Sequence, residues 1–526
     1  MEQKMTNNVP EYLNIAEECL AKQARGANKN KVAMIFASDK GAAREYTYAE
    51  LDDLSARFAA SLKERGIAQG ARVLLRLPNS VAFPVAFFGA MRAGAIPVPT
   101  SPMLTAAEVR YLISNSGADC IVTEERLWSA VAGDIASSEV KALYVSGLAN
   151  IAGAIDLEKE LAETSPAQEI LRSRAADAAY LVYTSGTTGY PKGVLHAHRA
   201  LIGRLPAAEH WFHFTGEDRI LHSGKFNWTY VLGTAMMDPL YQGKTVIVYE
   251  GENSAEKWIS LIREFGCNIF IGVPTIFRQI LQKTTAKGSD VPTLNHCMCA
   301  GEHLTDEVLD GWIKRFGFPI YEGLGMSECS YYISQKKGDE IVKNSAGKIQ
   351  PGHIVELLDE DLKPVGAGKE GMICIHRKDP GLFIEYWRAP EQTAAQFKGE
   401  WFLTGDYAIQ DNNGYLFFLG RRDEIIKSFG YRVSPFEIER VYRDHPALDD
   451  IVAFAEHLGP EKTLISMCVQ VKPGSQFDEQ QLLSWGKERL ASYKLPKKVY
   501  RLDKFPRSAN GKVLRSKIPK ELGLAG

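Results

Sequence analysis

A ten-residue segment in the first half of the chain combines residue types that bind phosphate. Residues 184–193 read TSGTTGYPKG and follow the apolar, β-forming run YLVY at 180–183. Backbone N–H groups of a loop rich in Gly, Ser and Thr can converge on phosphate oxygens, and a lysine adds a mobile positive charge. The segment therefore predicts a phosphate-binding loop that follows a strand, with Lys192 as its cation.

Three other sites are excluded by the details of the sequence. A Walker A loop has glycine directly before its lysine, whereas Pro191 precedes Lys192 here. No GxSxG segment surrounds Ser185, so Ser185 is a poor hydrolase nucleophile. His196 and His198 are expected on a helix, where residues two apart point to different sides, and we assign them no transition metal.

Composition limits the classes of function. A chain of 526 residues is too long for one hydrophobic core, so two or more domains are expected. The formal net charge of -2 argues against a large nucleic-acid footprint or a polybasic membrane patch. The eight cysteines form no CxxC pair, as expected for reduced thiols in the cytosol. With no secretory signal and no apolar run of the roughly 20 residues that span a bilayer, we expect a cytoplasmic protein without stable membrane insertion.

The order of apolar segments predicts the architecture. Strands at 71–77, 95–101 and 118–124 alternate with helices at 80–94 and 105–117, a pattern typical of parallel sheets with crossover helices. After about residue 350 the pattern changes to hairpins, one with an Asn-Asn-Gly turn at 412–414. A small α/β unit then begins near a helix that opens with Ser434 and Pro435. We therefore expect two domains, residues 1–421 and 422–526.

Six motifs together resemble one protein family. The loop at 184–193 is similar to the phosphate-binding signature of the adenylate-forming superfamily, which comprises acyl-CoA synthetases, nonribosomal adenylation domains and luciferases. The remaining signatures follow in the family's order over nearly the whole chain: AGEHL at 300–304, YEGLGMSE at 321–328, WFLTGDYA at 401–408, GRRDEIIKSFGYR at 420–432 and PRSANGKVLR at 506–515. The resemblance implies an α/β (α+β) fold. A large N-terminal domain of parallel αβ sheets with a β-barrel-like subdomain would carry a small, mobile C-terminal domain.

The resemblance assigns the nucleotide site residue by residue. Glu322 would read the adenine amino group, Ser327 would contact the α-phosphate, and Asp406 would accept both ribose hydroxyls. Serine stands at 327 where the family has threonine, which keeps the hydroxyl. The full nucleotide-binding set is Thr184, Ser185, Gly186, Thr187, Thr188, Gly189, Ala300, Gly301, Glu302, Glu322, Gly323, Ser327, Asp406 and Arg421.

The resemblance also assigns the catalytic groups and the moving parts. Lys192 would grip the β- and γ-phosphates, Glu328 would bind Mg²⁺, and Lys512 would bridge the acid and the α-phosphate as a protonated clamp. Asp423 falls at the family's hinge, and Gly430 and Tyr431 fall on the segment that lines the coenzyme A tunnel.

These assignments imply an AMP-forming acid–CoA ligase. A carboxylic acid would react with ATP to give an acyl-adenylate and pyrophosphate, and CoA would then give the acyl-CoA thioester and AMP. ATP/AMP, Mg²⁺ and coenzyme A are the implied cofactors and small-molecule partners. The physiological direction is open, because the reaction is balanced enough to run backwards and make ATP. The sequence also leaves open whether the protein is a monomer or a homodimer.

Two positions bear on the identity of the acid. In acetate-activating relatives a tryptophan caps the acyl pocket at the place of Gly325, so glycine implies a larger pocket. Residues 222–234, HSGKFNWTYVLGT, align with the acid-pocket region of benzoate-type aryl-CoA ligases, with Trp228, Thr229 and Tyr230 as walls. We expect benzoate or cyclohexanecarboxylate. The alternatives are a medium-chain fatty acid, or an adenylation enzyme that loads a carrier protein.

Overall fold

The coordinates form a computed structural model of the whole chain. The structure describes residues 9–128, 140–147, 151–184, 191–302, 304–421, 426–428, 431–458, 463–487, 489–490, 494–507 and 513–524. None of the helices within these ranges is long and apolar enough to cross a membrane.

The described strands number 27 and alternate with helices through most of the chain. The strands are β1 Val32–Ser38, β2 Arg44–Thr47, β3 Arg72–Arg76, β4 Ile96–Pro99, β5 Ala118–Glu124, β6 Ala142–Ser146, β7 Ile155–Asp156, β8 Ala178–Thr184, β9 Lys192–Ala197, β10 Arg219–His222, β11 Thr245–Glu250, β12 Ile269–Gly272, β13 His296–Cys299, β14 Ile320–Met326, β15 Ser330–Ser334, β16 Lys348–Ile349, β17 Val355–Leu358, β18 Glu370–His376, β19 Glu385–Tyr386, β20 Phe397–Lys398, β21 Trp401–Gln410, β22 Leu416–Arg421, β23 Ile426–Ser428, β24 Tyr431–Val433, β25 Leu448–His457, β26 Thr463–Val471 and β27 Lys498–Arg501. The helices are α1 Lys22–Arg25, α2 Tyr48–Glu64, α3 Ala82–Arg92, α4 Ala106–Ser116, α5 Glu125–Trp128, α6 Leu157–Glu163, α7 Ala200–Arg204, α8 Thr229–Leu232, α9 Asp238–Tyr241, α10 Ala255–Glu264, α11 Pro274–Lys283, α12 Asp306–Phe316, α13 Pro390–Ala395, α14 Pro435–Arg443, α15 Glu479–Lys487 and α16 Ile518–Glu521.

Parallel sheets dominate the large N-terminal domain, as predicted. A nine-stranded sheet has the order β16-β15-β14-β13-β12-β10-β11-β1-β2. In it, β1 and β10–β14 run parallel, whereas the pairs β1–β2, β14–β15 and β15–β16 are antiparallel. A second sheet, β4-β3-β5-β6-β7, is parallel throughout. The expected α/β class, with helices as crossovers, is confirmed.

Most of the other described strands pair antiparallel, whereas β26 and β27 pair parallel. Strands β8, β9 and β19 make a three-stranded sheet. In the region predicted as a β-barrel-like subdomain, β17, β18, β20, β21 and β22 form one antiparallel sheet, with the predicted turn at 412–414 between β21 and β22. The small C-terminal domain contains the sheet β25-β26-β27 and the pair β23–β24. The boundary at 421/422 itself stays a prediction.

Local sequence explains where the helices begin and end. The Thr105 hydroxyl accepts from the Glu108 N–H, the Glu108 carboxylate accepts from the Thr105 N–H at 2.8 Å, and Gly117 ends α4 at φ 64°. Such a capping box satisfies two orphan donors, and glycine tolerates the left-handed conformation. The Ser434 cap and Pro435 at the first position of α14 are also as predicted.

Helix α3 packs closely against α2 in the core. Every residue of α3 is buried. A Cβ at Gly89 would lie 2.8 Å from both the Phe58 ring and the Ser55 carbonyl oxygen of α2, so only glycine permits this approach. Continuous burial on all sides explains why this helix lacks a polar face.

Asp238 is expected to be essential for stability, because it neutralises a buried arginine. The Arg204 Nε and Nη2 atoms donate to the Asp238 carboxylate at 2.6 and 2.9 Å, and the two side chains are 2% and 5% exposed. An Asp238→Asn substitution should lower the free energy of unfolding by about 3–5 kcal/mol, because the guanidinium would remain buried without its counter-charge. Chemical denaturation measures this change.

The matched control is Asp310→Asn, which breaks the exposed ion pair of Asp310 with Lys343, 2.7 Å apart. Exposed pairs contribute little, so this variant should unfold like the parent. Equal midpoints for the two variants would contradict the role of Asp238.

Candidate functional site

Two antiparallel strands, β8 and β9, lie on either side of the predicted phosphate loop. Thr184, the last residue of β8, is the register partner of Lys192, the first residue of β9. Ser185, Gly186, Thr187, Thr188 and Gly189 were predicted to bind the nucleotide, but they lie outside the described residues. The structure thus locates the lysine and one flanking threonine at the end of a rigid pair of strands.

The amine of Lys192 lies on the face of a tyrosine. Its Nζ atom is 3.5 Å from the centroid of the Tyr386 ring, and the Tyr386 hydroxyl donates to Glu328 Oε1 at 2.7 Å. Partial burial lowers the pKa of Lys192, the negative charge of Glu328 opposes that shift, and the positive charge of Arg421 adds to it. Two side chains assigned to catalysis are therefore connected through one aromatic ring.

Main-chain hydrogen bonds fix the Ser327–Glu328 turn. Glu328 is buried, and its carbonyl oxygen accepts from the Phe383 N–H at 2.7 Å. The Ser327 carbonyl oxygen lies 2.7 Å from His196 Nε2. Burial lowers the pKa of His196 to about 3, so the ring is neutral and Nε2–H is the donor. The Ser327 hydroxyl is 3.2 Å from the Thr229 hydroxyl.

The residues assigned to the adenine lie in the turn that follows β13 and beside it within the parallel strand β14. Ala300, Gly301 and Glu302 directly follow β13, whose Cys299 is the register partner of Glu322 in β14. The Leu304 N–H points to Glu322 Oε1 at 3.3 Å, so this carboxylate faces the 300–304 turn. The strand ends thus bring both adenine motifs together.

Three of these residues show distinct packing. The Glu302 carboxylate accepts from the Thr275 N–H at 3.3 Å and from the Thr275 hydroxyl at 2.7 Å near the start of α11, so its side chain is engaged by the helix. A Cβ at Gly323 would overlap the Trp211 ring, and one at Gly301 (φ 89°) would lie 3.1 Å from the Trp228 ring. Close packing by tryptophan therefore accounts for both glycines.

Asp406, assigned to the ribose, and Arg421, assigned to the ribose or the phosphate, face each other across a hairpin. Asp406 in β21 and Arg421 in β22 are register partners, with 3.5 Å between Arg421 Nε and Asp406 Oδ1. Burial is the main cause of the lowered pKa of Lys192, and the positive charge of Arg421 adds to it, which locates Arg421 near this lysine. The antiparallel sheet therefore contributes to the same site as the parallel one.

The predicted acid-pocket residues form an aromatic cluster at the start of α8. The Tyr230 ring contacts the Trp228 ring edge to face at 5.2 Å and the His222 ring at 5.0 Å. Tyr230 is buried, whereas Trp228 is half-buried and lies over Gly301. Lys225, in the same segment of the chain, has its Nζ 2.7 Å from Glu250 Oε2. The cluster thus adjoins the nucleotide residues, and the nearby lysine is paired.

Gly325 has a packing reason of its own. A Cβ there would overlap the Ser330 carbonyl oxygen and lie 2.5 Å from the Tyr331 Cα in the neighbouring strand β15. The register between β14 and β15 shifts at Leu324 and Gly325, which brings the two backbones close. The expected effect of Gly325 on pocket size therefore stays a prediction, and strand packing alone accounts for the glycine.

The C-terminal assignments are described only in part. Lys512, Asp423 and Gly430 lie outside the described residues, and Tyr431 is described only as the backbone that begins β24. On either side of residues 508–512, Arg507 pairs with Val513 in a β-bridge. Arg515 forms an ion pair with the buried carboxylate of Glu439 in α14. The described residues on either side of Lys512 are thus paired with each other and with α14.

Two features were missed or wrongly placed by the sequence. His196 and His198 do not lie on a helix: His196 is in β9 and His198 follows it, with its Nδ1 accepting from the Ile15 N–H at 3.2 Å. Each ring is engaged by a different main-chain group. Tyr386 was not predicted, because it lies in none of the six sequence motifs. Its position depends on the pairing of β19 with β9.

Gly325→Ala should be destabilising by about 1–3 kcal/mol, because the methyl group would force β14 and β15 apart. Gly216→Ala is the control, since a Cβ at this exposed glycine meets nothing within 4 Å. The free energy of unfolding of both variants, from denaturant titration, tests this expectation. A Gly325→Ala protein as stable as the parent would show that strand packing does not explain the glycine.

Comparisons with known proteins agree with this geometry. The model of the AMP-binding enzyme family matches residues 20–387, and that of the AMP-binding enzyme C-terminal domain matches residues 437–512. The acyl-coenzyme A synthetase ACSM3 of Homo sapiens is 27% identical, over 99% of this chain and 92% of its own. The benzoate–CoA ligase of Thauera aromatica is 29% identical, over 97% of this chain and 96% of its own.

A solved structure extends the likeness to the whole fold. The anthranilate CoA ligase AuaEII, in complex with anthranoyl-AMP, superposes with a TM-score of 0.89 and 26% identity over 99% of each chain. The first family match alone spans well over half of the chain. This chain therefore belongs to the AMP-binding enzyme family, among the AMP-forming acyl-CoA ligases of the adenylate-forming superfamily.

Proposed function

We propose that this protein activates a compact cyclic carboxylic acid, benzoate or cyclohexanecarboxylate, as its CoA thioester. The observation that carries the proposal is the 3.2 Å contact between the hydroxyls of Thr229 and Ser327. Thr229 belongs to the assigned acid pocket and Ser327 to the assigned α-phosphate contact. The acid carboxylate and the α-phosphorus must meet where these two sets adjoin, because the first half-reaction joins them.

In the first half-reaction a carboxylate oxygen attacks the α-phosphorus as the bond to pyrophosphate breaks. Both reactants are anions, so their repulsion must be offset by cations held in place beforehand. Lys192 supplies one such charge to the β- and γ-phosphates, and the Ser327 hydroxyl donates a hydrogen bond to the α-phosphate. Lys512, still protonated, clamps the acid oxygen and the α-phosphate together. Asp406 accepts from the ribose hydroxyls, and Arg421 adds positive charge beside them.

Glu328 fits the role of a magnesium ligand. Its carboxylate is buried and accepts a hydrogen bond from a neutral phenol, which leaves its negative charge available. Magnesium prefers such hard oxygen ligands and uses one or two carboxylates together with substrate phosphates. A bound Mg²⁺ would supply charge neutralisation on the triphosphate. The chain's contribution is to hold the Glu328 carboxylate at a fixed position and orientation.

The second half-reaction needs a different arrangement of the C-terminal domain. The thiol of CoA attacks the acyl carbon. The bond between that carbon and the phosphate oxygen breaks, and AMP leaves. We propose that rotation about Asp423 withdraws Lys512 and brings Gly430 and Tyr431 to the acid. Glycine at 430 allows the pantetheine chain to pass close to the backbone. Such rotation is a gating motion that defines each chemical step.

The aromatic cluster supports an uncharged ring as the acyl group. Trp228 and Tyr230 present faces and edges that favour stacked or edge-to-face contact with a flat ring. Lys225 is paired with Glu250, so it offers no free charge to a second carboxylate of the substrate. Similarity to a benzoate–CoA ligase and to an anthranilate CoA ligase supports the same class of acid.

A panel of acids tests the substrate. With ATP, Mg²⁺ and CoA, benzoate or cyclohexanecarboxylate should give the highest kcat/KM, above hexanoate and crotonate. Acetate should be lower by about 100-fold or more, since it leaves most of the apolar contacts unmade. Thioester and AMP are measured together by chromatography. Hexanoate as the best substrate would favour the medium-chain alternative, whereas acetate as the best substrate, or ADP as product, would contradict the proposal.

Separate assays of the half-reactions test the two-conformation mechanism. Lys512→Ala should lower pyrophosphate release from acid and ATP by at least about 100-fold, the scale of a lost charge in the transition state. Thioester formation from preformed acyl-adenylate should change little, because Lys512 has then withdrawn. Lys517→Ala, an exposed lysine five residues away, is the control. Equal loss in both half-reactions would rule out this division of roles.

A further inference from the structure

Tyr386 is placed between two charges on which the reaction depends. Its hydroxyl donates to Glu328 Oε1 at 2.7 Å, and its ring lies 3.5 Å below the Lys192 amine. The side chain is fully buried, with 1% of the residue exposed. A buried phenol must find a hydrogen-bond acceptor, and any carbonyl oxygen would serve. Here the acceptor is the carboxylate assigned to the metal, and the ring face is used by the lysine assigned to the triphosphate.

The backbone around Tyr386 is fixed to the same two places. Tyr386 is the register partner of Val194 in β9, two residues after Lys192, and the Trp387 N–H donates to the Gly193 carbonyl oxygen at 2.8 Å. On the other side, the Phe383 N–H donates to the Glu328 carbonyl oxygen at 2.7 Å. The Tyr386 N–H donates to the Thr393 hydroxyl at 2.9 Å. The segment 383–387 therefore connects the start of β9 with Glu328 through both its main chain and the Tyr386 side chain.

The two ends of the phenol have separable effects. The hydroxyl orients one oxygen of Glu328, which fixes the direction in which the other oxygen is presented. Partners that orient a metal ligand in this way influence metal affinity strongly. The ring restrains the flexible lysine by a cation–π contact, so that less side-chain freedom is lost when the triphosphate binds.

We propose that Tyr386 is a positioning residue that holds the Glu328 carboxylate and the Lys192 amine at the relative positions that a metal–triphosphate needs. The proposal rests on the function proposed above, in which these two groups serve the metal and the phosphates. Tyr386 does not touch the reacting atoms; it acts through the residues on its two sides. Its hydroxyl should matter for the metal-bound nucleotide, and its ring should matter for the nucleotide with or without metal.

Two substitutions separate these effects. Tyr386→Phe removes the hydroxyl and keeps the ring, whereas Tyr386→Leu removes both. The ligand is α,β-methylene ATP, which cannot be cleaved at the reacting bond, and its dissociation constant is measured by calorimetry in EDTA and again in saturating Mn²⁺. Thermal unfolding midpoints verify that each variant is folded.

The expected pattern differs between the two conditions. In Mn²⁺, Tyr386→Phe should bind the analogue about tenfold more weakly than the parent, as for the loss of a partner that orients a metal ligand. In EDTA the same variant should bind within about twofold of the parent, because the cation–π contact is intact. Tyr386→Leu should lose about threefold in EDTA as well, from the missing ring.

Tyr415 provides a matched control. Its hydroxyl donates to the Glu340 carbonyl oxygen at 2.9 Å, and the Lys348 amine lies 4.4 Å from its ring centroid. The same contacts thus occur at a tyrosine in the turn between β21 and β22. Tyr415→Phe and Tyr415→Leu should leave both dissociation constants unchanged.

Each other outcome has a definite meaning. If Tyr386→Phe bound the Mn²⁺ form like the parent, the positioning role would be refuted while the proposed function stood. Equal loss by the Phe and Leu variants in EDTA would indicate general disorder of the site and would also refute it. A parent protein that bound the analogue in neither condition would instead overturn the proposed function. If Tyr386→Leu failed to fold, the Phe variant alone would decide the role of the hydroxyl.

Discussion

Lys192 and Glu328 carry opposite charges in a partly buried region, and the proposed function gives Lys192 to the triphosphate and Glu328 to the metal. Two unit charges 4 Å apart attract by roughly 4 kcal/mol at an effective dielectric constant of about 20. A direct ion pair would have to be broken before phosphate could reach the lysine or metal could reach the carboxylate. The phenol of Tyr386 meets this constraint, because its face contacts the cation and its hydroxyl contacts the anion. Both charges are held near each other, and each remains available to its ligand.

The residues around these two charges come from three separate sheets. Glu328 follows β14 of the nine-stranded sheet, Lys192 and Tyr386 belong to the small sheet of β8, β9 and β19, and Asp406 and Arg421 belong to the antiparallel sheet. In open α/β sheets, ligands bind beyond the carboxyl ends of the parallel strands. Gly301 and Ser327 occupy such positions after β13 and β14. The antiparallel sheets thus complete a site that the parallel sheet begins.

Local patterns made much of the fold predictable. The Thr105–Glu108 capping box, Gly117 and the Ser434–Pro435 start of α14 act within one helical turn, so their residues alone identify the helix ends. The motifs of the site were found because they resemble those of a family. Tyr386 could not be found in this way, because it is far from Lys192 in the sequence and their contact depends on the pairing of β19 with β9. The packing reason for Gly325 likewise depends on a register shift between β14 and β15, which no local pattern reveals.

The histidines behind the site and Lys192 change their charge in different ranges of pH. Burial lowers the pKa values of His196, His222 and His296 to about 3, so these rings are neutral above about pH 4 and act as uncharged scaffolding. Their folded-state pKa values lie below the ordinary value of about 6.5, so they oppose folding only as the pH falls below that value. Lys192 responds in the opposite range, since burial lowers its pKa and its charge is lost earlier as the pH rises. Around neutral pH the histidines are therefore uncharged, and the lysine keeps the positive charge that the proposed function directs at the triphosphate.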